Sequence, residues 1–433
     1  MQLSSEIQTG PLRSAPGAYI DRLAPSGGWR LIVAISLMVL AFVPLVPPVD
    51  ALEGGVTTRG IIEFALILFA LGLLAMYLKT QGAFSVDLKS PAFLIISAYC
   101  WWCMLSFIWS PNPVLTIAKA AELWCIALAA LMVTTFAARS HFNERQIATV
   151  FALSLVAVIC GLILANLYYW GKPFPSTGDA SLPLDLLGEE FVEQRPRLIL
   201  AYQHALVTAD LLAVTIITLF ASDLRKIFKA ILFPGLLALL WLTNARAATV
   251  AVAIAIASMA MLKLRRNSSR AITAMLGLAT VVAGLLLFQD RLPALVRPLL
   301  SDDLFTLNSR TELWAKVFTY ICEQPIAGTG YYGSRYLLIK DFSWAGHAHN
   351  SFLEVQLTTG LIGLLLLIAF VVFICKEIFI TRNALLVGIT LYALIQGMVD
   401  PVLFYPDLVM FALTIVLTSV NPGRSPAGER SFA

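Results

Sequence analysis

Long apolar runs separated by short polar stretches dominate the chain. About 20 mainly apolar residues are needed to cross the roughly 30 Å of hydrocarbon in a bilayer. The runs are continuous and lack the alternation of barrel strands, and an open sheet edge is unstable in lipid, so we expect helices. With that length as the criterion, the pattern predicts twelve spans, at 29–48, 60–79, 91–109, 114–137, 146–170, 197–221, 227–243, 245–262, 271–288, 351–375, 383–400 and 402–420.

The composition points to the same class. Hydrophobic residues make up 59% of the 433 residues, charged residues make up 13%, and the mean hydropathy is +0.82. Soluble domains are about half apolar and about a quarter charged, so a soluble enzyme and a disordered chain are excluded. The sequence therefore predicts an all-α polytopic membrane protein with about 12 transmembrane helices.

The spans divide the chain into five parts. A tail at 1–28 precedes transmembrane helices 1–9 at 29–288, which include an outer loop at 171–196. A second, larger outer loop occupies 289–350, transmembrane helices 10–12 occupy 351–420, and a tail follows at 421–433. The polar stretch before the first span is unlike a cleaved signal peptide, so we expect that span to remain as an anchor.

The distribution of charge predicts the orientation. If the N-terminus is cytoplasmic, the inner side holds 18 of the 30 basic residues and only seven of the 26 acidic ones. An excess of Lys and Arg marks cytoplasmic loops, so both termini are predicted to be cytoplasmic. The net charge of +4 combines a basic inner face with an acidic outer face, which argues against nucleic-acid binding.

The larger outer loop contains a predicted helix. Ser309 and Glu312 have the spacing of a capping box. Apolar residues then recur at helical spacing, at Trp314, Val317, Phe318 and Ile321, and the helix is expected to end at Pro325 and the Gly328-Thr329-Gly330 turn. Arg310 falls in the first turn, where it could hold an anion beside free backbone N–H groups. A surface arginine on an interfacial helix is the alternative.

Two of the four histidines, His347 and His349, directly precede the tenth span. Asn350 or Ser351 can cap that span, Ser351 having Glu354 three residues on. A histidine exchanges protons near neutral pH and can act as a general base on a hydroxyl. A zinc site is the rival, but no further Cys or His lies near enough in sequence to complete one. Histidines that only pack the start of a helix are the other alternative.

Further polar groups lie near the same boundary. Arg246 occupies the tight turn between the seventh and eighth spans, where it either snorkels or pairs with an anion. Arg195 and Arg197 open the sixth span, and His204 lies two helical turns beyond Arg197 on nearly the same face. The acidic residues Asp210, Glu63 and Glu122 fall inside predicted spans. Asp210 is expected to pack against a polar partner, whereas Glu63 and Glu122 fit structural and catalytic roles equally well.

Arginines beside a histidine suggest phosphate chemistry. The planar guanidinium fork suits phosphate oxygens, and the histidine supplies a base. No glycosidase-type carboxylate pair and no P-loop sequence is present. The residues therefore point to transfer from a phosphate-bearing donor without ATP.

These motifs resemble the O-antigen ligase and Wzy-type polymerase superfamily of bacterial envelope enzymes. The matching residues, which span roughly 195 to 375, are Arg195 and Arg197, Thr243-Asn244-Ala245-Arg246, Asn308-Ser309-Arg310 with Trp314, Gly328-x-Gly330, and His349-Asn350. More narrowly, the chain is similar to the ExoQ-type exopolysaccharide polymerases. The resemblance implies a GT-C-like helical fold in the bacterial inner membrane, with the active site facing the periplasm.

The resemblance also implies the chemistry. The donor would be undecaprenyl diphosphate carrying a sugar chain, and the acceptor another lipid-linked repeat unit, joined en bloc. Catalytic roles fall to His349, Arg246 and Arg310, and substrate binding to Arg195, Arg197, His204, His347, Asn350 and Trp314. Besides membrane lipids, a chain-length regulator and export proteins are candidate partners. No cofactor or metal is required.

Two alternatives remain open at this point. An O-antigen ligase would use the same donor but move the finished chain to a lipid A core, and these motifs do not separate it from a polymerase. A flippase or transporter of lipid-linked sugars would fit twelve spans and Asp210. The absence of obvious internal repeats and the long aromatic outer loop argue against a transporter.

Overall fold

The computed structural model describes residues 28–42, 58–80, 90–176, 197–200, 205–264, 310–342 and 345–419. Within these ranges the chain is helical apart from its connecting segments and one isolated antiparallel bridge between Ser176 and Leu198. The helices are α1 Gly28–Ala41, α2 Thr58–Thr80, α3 Pro91–Leu105, α4 Pro113–Arg139, α5 Glu144–Trp170, α6 Ala205–Ala221, α7 Lys226–Leu242, α8 Arg246–Leu264, α9 Arg310–Glu323, α10 Ser334–Asp341, α11 Ser351–Thr381, α12 Ala384–Gly397 and α13 Leu408–Ser419.

The predicted class, a multi-pass helical membrane protein, is confirmed. Five of these helices are long and apolar enough to cross a membrane (α2, α3 with its 3-10 extension to Ile108, α4, α5 and α11), and five more are apolar but shorter (α1, α6, α8, α12 and α13). The predicted number of twelve spans is not confirmed. The predicted ninth span at 271–288 and the two tails lie outside the described residues, apart from Gly28 at the start of α1.

The sixth span was predicted to begin at residue 197, but α6 begins at Ala205. Residues 197–200 instead form an extended segment held by its neighbours. The backbone N–H of Leu198 donates to the carbonyl of Leu242, and that of Ile199 donates to the carbonyl of Pro175. Arg197 therefore precedes the helix, and the prediction that it shares a helical face with His204 is wrong.

Two helices form the centre of the bundle. Residues 408–417 of α13 are all buried, as are residues 208–219 of α6. A helix that is buried on every side belongs in the middle of a bundle, and here α4, α5, α8 and α12 surround the pair. Asp210 of α6 has the polar partner expected for it, because the hydroxyl of Tyr392 in α12 hydrogen bonds to its carboxylate.

The contact between α8 and α12 is the most extensive between any two described helices. Helix α8 carries small buried residues, including Ala248, Ala251 and Ala255. On α12, a Cβ atom added at Gly388 would lie 2.3 Å from Sδ of Met259. Small residues let transmembrane helices approach closely, and this packing fixes the start of α8 relative to the end of α12.

Helix α11 is interrupted at Gly360, where φ is 67° and ψ is −164°. The turn at 325–330 fills the interruption. The N–H groups of Thr329 and Gly330 donate to the carbonyls of Leu357 and Thr358, and the N–H of Leu361 donates to the carbonyl of Pro325. A Cβ added at Gly328 would lie 2.5 Å from the nitrogen of Gly360. The Gly328-Thr329-Gly330 sequence thus forms the predicted turn, which anchors the outer loop to α11.

The predicted helix in the large loop is confirmed as α9. Its buried face carries Leu313 and Val317, whereas Phe318 is 54% exposed, so the apolar face is rotated from the expected one. Ser309, the predicted capping residue, lies outside the described residues. The start of α11, the end of α12 and the starts of α6 and α8 lie at the same end of the bundle as α9. We call this the site end.

Candidate functional site

The start of α11 is fixed to the loop between α12 and α13. The side-chain oxygen of Asn350 accepts hydrogen bonds from the N–H groups of Phe352 and Leu353, and its amide donates to the carbonyl of Met398. The hydroxyl of Ser351 donates to the carbonyl of Asp400 and accepts from two N–H groups of the same loop. These bonds confirm Asn350 as the capping residue and hold Asp400 beside residue 349.

Two histidines and one carboxylate meet there. Nδ1 of His349 lies 3.3 Å from Oδ1 of Asp400, and Nε2 of His347 lies 3.9 Å from the same oxygen. The imidazole ring centroids are 4.1 Å apart. The side chains of His349 and Asp400 are each 14% exposed, so the cluster is mostly enclosed but still accessible from outside.

The backbone of this cluster adopts an unusual conformation. His349 has φ of 47°, in the left-handed region that few non-glycine residues adopt. Its N–H donates to Nδ1 of His347 at 3.3 Å, which fits the tautomer of His347 that carries its proton on Nε2. The left-handed turn brings the side chain of His349 to Asp400. Such conformations cluster at active sites, where the surrounding structure maintains them.

Three side chains hold the histidine loop in place from behind. The indole Nε1 of Trp314 in α9 donates to the carbonyl of Ala348 at 2.9 Å. The carboxylate of Glu354 accepts from the N–H of Ala348 at 2.7 Å and from the hydroxyl of Ser334 in α10 at 2.6 Å. Ser351 and Glu354 therefore do not form the predicted capping box, because Glu354 supports the loop before the helix instead.

The arginines converge on the same end of the bundle. Arg246 is the first residue of α8, and the bond from Leu198 to Leu242 places Arg197 beside the turn that precedes α8. Burial lowers the pKa of Arg197, and the positive charge of Arg246 lowers it further. Burial also lowers the pKa of Arg310; the negative charge of Asp400 acts against that shift, and the positive charge of Arg197 adds to it.

These interactions connect the arginines to the histidines. Arg197 interacts electrostatically with both Arg246 and Arg310, and Arg310 interacts with the carboxylate that lies against His349. Each of the three arginines is only partly exposed. A partly enclosed group of like charges attracts a compact anion with several oxygens, because the anion relieves their mutual repulsion.

The histidine cluster also has donors for a cation. His347, His349 and Asp400 each offer one ligand atom, and these atoms lie within 4.8 Å of one another. Two imidazoles and a carboxylate form a known ligand set for transition metals. The sequence argument against a zinc site missed Asp400, which lies far from the histidines in sequence.

The structure brings six of the nine predicted site residues together. They are Arg197, Arg246, Arg310, His347, His349 and Asn350. The indole of a seventh, Trp314, contacts the backbone of the histidine loop at Ala348. Arg195 and His204 lie outside the described residues. Sequence reasoning missed Asp400 and Glu354 as parts of the site. The sequence did contain a signal for Asp400. It is an acidic residue beside Pro401, in the turn between two apolar segments, and the predicted topology puts that turn on the outer side of the membrane with the histidines.

Comparison with known proteins bears on the same part of the chain. No curated protein matches the sequence. A family model does match: residues 211–368 are similar to the Wzy_C family, described as O-antigen ligase. This segment covers more than a third of the chain and includes Arg246, Arg310 and both histidines, and it ends before Asp400. The part of the chain that carries most of the candidate site thus resembles the O-antigen ligase family.

Proposed function

We propose that this protein is a membrane glycosyltransferase of the polysaccharide polymerase type. It joins undecaprenyl-diphosphate-linked repeat units en bloc into exopolysaccharide, on the periplasmic face of the inner membrane. The observation that carries the proposal is the meeting of three arginines with the His349–Asp400 pair at one end of an apolar helical bundle. A membrane-embedded donor with a diphosphate beside its reactive carbon fits that arrangement.

The arginines bind the diphosphate of the donor. Arg246 and Arg310 hold it with Arg197 assisting, and the charge of Arg197 interacts with that of each of the other two. As the glycosidic C–O bond to phosphate breaks, negative charge accumulates on the leaving diphosphate. Fixed positive groups that face this developing charge lower the barrier, because they need no reorganisation during the reaction.

His349 is the general base. Asp400 lies against Nδ1, which leaves Nε2 to take the proton of the acceptor hydroxyl. The hydroxyl oxygen then forms the new bond to the anomeric carbon, the bond from that carbon to the diphosphate oxygen breaks, and the carbon is inverted. The carboxylate of Asp400 orients the imidazole and stabilises the imidazolium that forms.

The remaining predicted residues divide by their contacts. Both ends of the Asn350 amide are engaged within the protein, and the indole N–H of Trp314 donates to Ala348. We therefore propose that these two residues position His349. We propose that His347, whose side chain is 26% exposed, contacts the substrate. Arg195 and His204 remain predictions as substrate-binding residues.

An O-antigen ligase is the second candidate, favoured by the description of the matching family. Its donor chemistry is identical, and only the acceptor differs. A chromosomal deletion separates the candidates through the lipid-linked material that accumulates. Loss of a polymerase leaves single lipid-linked repeats on the periplasmic face, whereas loss of a ligase leaves long unattached chains.

The same strain tests the proposal against transport. A transporter defect would trap single repeats on the cytoplasmic face, where externally added glycosidases do not reach them. Restoration of polymer by the wild-type gene but not by His349→Ala, with both proteins present in the membrane, supports the proposed chemistry. Normal polymer from His349→Ala would remove the assignment of the base.

A further inference from the structure

A second polar cluster lies within the bundle near the site end. Nζ of Lys119 in α4 is 2.7 Å from a carboxylate oxygen of Glu122 and 3.9 Å from one of Glu63 in α2. From the sequence alone, Glu63 and Glu122 fitted structural and catalytic roles equally well. In the structure, the ammonium of Lys119 lies near both carboxylates. One ammonium and two carboxylates give the cluster a net negative charge, opposite in sign to the arginine group.

This cluster is not sealed inside the protein. The side chain of Lys119 is 24% exposed, and those of Glu63 and Glu122 are 11% and 10% exposed. Lys119 lies six residues into α4, which places it roughly 9 Å below the start of that helix. Charged side chains at membrane depth face the bundle interior or a water-filled cavity rather than lipid. The exposed surface of the cluster should therefore face water rather than lipid.

Aromatic rings connect this cluster to the histidines. Nζ of Lys119 lies over the ring of Tyr332, 5.6 Å from its centroid, and that ring stacks on Tyr405 with centroids 5.1 Å apart. The ring of Tyr405 in turn meets His347 edge to face at 6.3 Å. Both tyrosines are partly exposed. A continuous wall of polar and aromatic groups thus runs from the charged cluster to the proposed base.

The wall is held rigidly. The carbonyl of Tyr331 accepts from the hydroxyl of Thr116 in α4, and the hydroxyl of Tyr331 donates to the carbonyl of Phe404. These bonds fix the residues that directly precede Tyr332 and Tyr405. Tyr332 and Phe404 both have positive φ, at 64° and 56°, a conformation that persists in bulky residues only when neighbours enforce it.

The chemistry of this wall suits a sugar rather than a phosphate. A net negative cluster repels a diphosphate, whereas carboxylates accept hydrogen bonds from hydroxyls and an ammonium donates to hydroxyl and ring oxygens. An aromatic face packs against the apolar C–H face of a pyranose, since its π-electrons are attracted to the weakly positive hydrogens. The wall therefore has both kinds of contact that a pyranose offers.

We propose that Lys119, Glu122, Tyr332 and Tyr405 form the subsite for the sugar that presents the acceptor hydroxyl. The inference rests on the proposed function and extends it to the acceptor. The arginine group meets the catalytic cluster at Asp400, and the aromatic wall meets it at His347. The donor diphosphate would thus bind on the side of His349 that carries Asp400, and the acceptor glycan on the side that carries His347.

The test uses two probes that separate the subsites. Lipid-linked repeat units are extracted from a deletion strain, and mild acid releases from them a free oligosaccharide that lacks phosphate. Undecaprenyl diphosphate without sugar is the second probe. Binding of each to the full-length protein in nanodiscs is measured by isothermal titration calorimetry for wild type, Tyr405→Ala, Glu122→Gln and Arg310→Ala.

We expect Tyr405→Ala and Glu122→Gln to weaken binding of the free oligosaccharide by about tenfold, from the usual size of aromatic contacts and charge-assisted hydrogen bonds. Binding of undecaprenyl diphosphate should stay unchanged in both. Arg310→Ala should show the reverse pattern. The matched control is Tyr168→Ala, which removes an 84% exposed tyrosine that is not part of the wall and should leave both affinities as in wild type.

Tyr405→Phe guards against a folding artefact, because it keeps the ring and should keep most of the oligosaccharide affinity. Unchanged oligosaccharide binding in both wall variants would overturn the subsite, as would wild-type protein that shows no saturable oligosaccharide binding. Loss of undecaprenyl diphosphate binding in the wall variants would also overturn it. Failure of the wild type to extend lipid-linked repeats would instead refute the proposed function, and with it the acceptor role.

Discussion

The imidazole of His349 and the carboxylate of Asp400 lie 3.3 Å apart, although α11 and α12 separate them in sequence. Asn350 and Ser351 create this proximity by bonding the start of α11 to the loop that contains Asp400. The same carboxylate acts electrostatically on Arg310. Asp400 therefore interacts both with the proposed base and with one arginine of the proposed diphosphate site, and its replacement should affect the two in opposite directions.

Asp400→Asn should lower the rate of glycosyl transfer by about 10- to 100-fold, because it removes one charge-assisted interaction with the imidazole, worth about 1.5–3 kcal/mol. The affinity for undecaprenyl diphosphate should stay the same or increase, since a negative charge that acts on Arg310 is removed. Single-turnover rates and calorimetric affinities measure the two effects. A loss of diphosphate binding without a change in rate would contradict the role given to Asp400.

Arg310→Lys and Arg246→Lys should each weaken binding of undecaprenyl diphosphate by about 10- to 100-fold. Lysine keeps the charge but loses the planar fork that engages two phosphate oxygens at once, and charged hydrogen bonds are worth about 1.5–3 kcal/mol. Arg382→Lys is the matched control, because Arg382 is exposed and follows the end of α11 that lies away from the site. Equal losses in all three variants would indicate a general effect of charge rather than a defined site.

Removal of divalent metal should leave activity intact. The proposed mechanism needs the lone pair on Nε2 of His349. A metal bound by His347, His349 and Asp400 would make that lone pair unavailable, either by taking it or by binding Nδ1 and leaving the proton on Nε2. Activity is measured after dialysis against a chelator and again after addition of zinc. Loss on chelation with recovery on adding metal would show that the three residues form a metal site. Inhibition by added zinc is the expected result, because their ligand atoms lie within 4.8 Å of one another.

Gly360→Ala should destabilise the protein by more than about 2 kcal/mol, since it combines backbone strain at positive φ with overpacking. An added Cβ would lie 2.2 Å from the carbonyl oxygen of Ile326. Gly161→Ala is the control, because a Cβ at Gly161 in α5 has no atom within 4 Å. Thermal unfolding in detergent should show a clearly lower Tm for the first variant and an unchanged or higher Tm for the second. Equal values would refute the docking of the turn at 325–330.

The sequence predicted the parts of the fold that depend on local composition. Apolar runs gave the approximate positions of the long spans because a bilayer sets their length. The start of α6 was misplaced because hydropathy does not register the backbone bonds that Leu198 and Ile199 make to distant residues. The interruption of α11 at Gly360 was likewise not predicted, since it depends on a turn that docks from another part of the chain.

The site shows the same division. Arg246, Arg310 and His349 were proposed as site residues from the sequence because charged or titratable groups near predicted membrane boundaries are uncommon, and because their order resembles a known family. Asp400 and Lys119 were not proposed from the sequence, since each acquires its proposed role only through contacts between segments that are distant in sequence. Glu354 was noticed for its spacing to Ser351, but its real partners are Ala348 and Ser334.

The central claim is that one site, made of the arginines and His349, transfers a glycan from a lipid diphosphate. The most direct test incubates purified protein in nanodiscs with lipid-diphosphate-linked repeat units and no nucleotide sugar, beside folded Arg310→Ala and His349→Ala. A gel should show a ladder of polymer from the wild type. The time course of the ladder should show that His349→Ala is slower by about 10²–10⁴-fold, as expected for loss of a general base. Arg310→Ala should lose the ladder as well. A ladder of equal intensity from either variant, or none from folded wild-type protein supplied with its own repeat unit, would contradict the account.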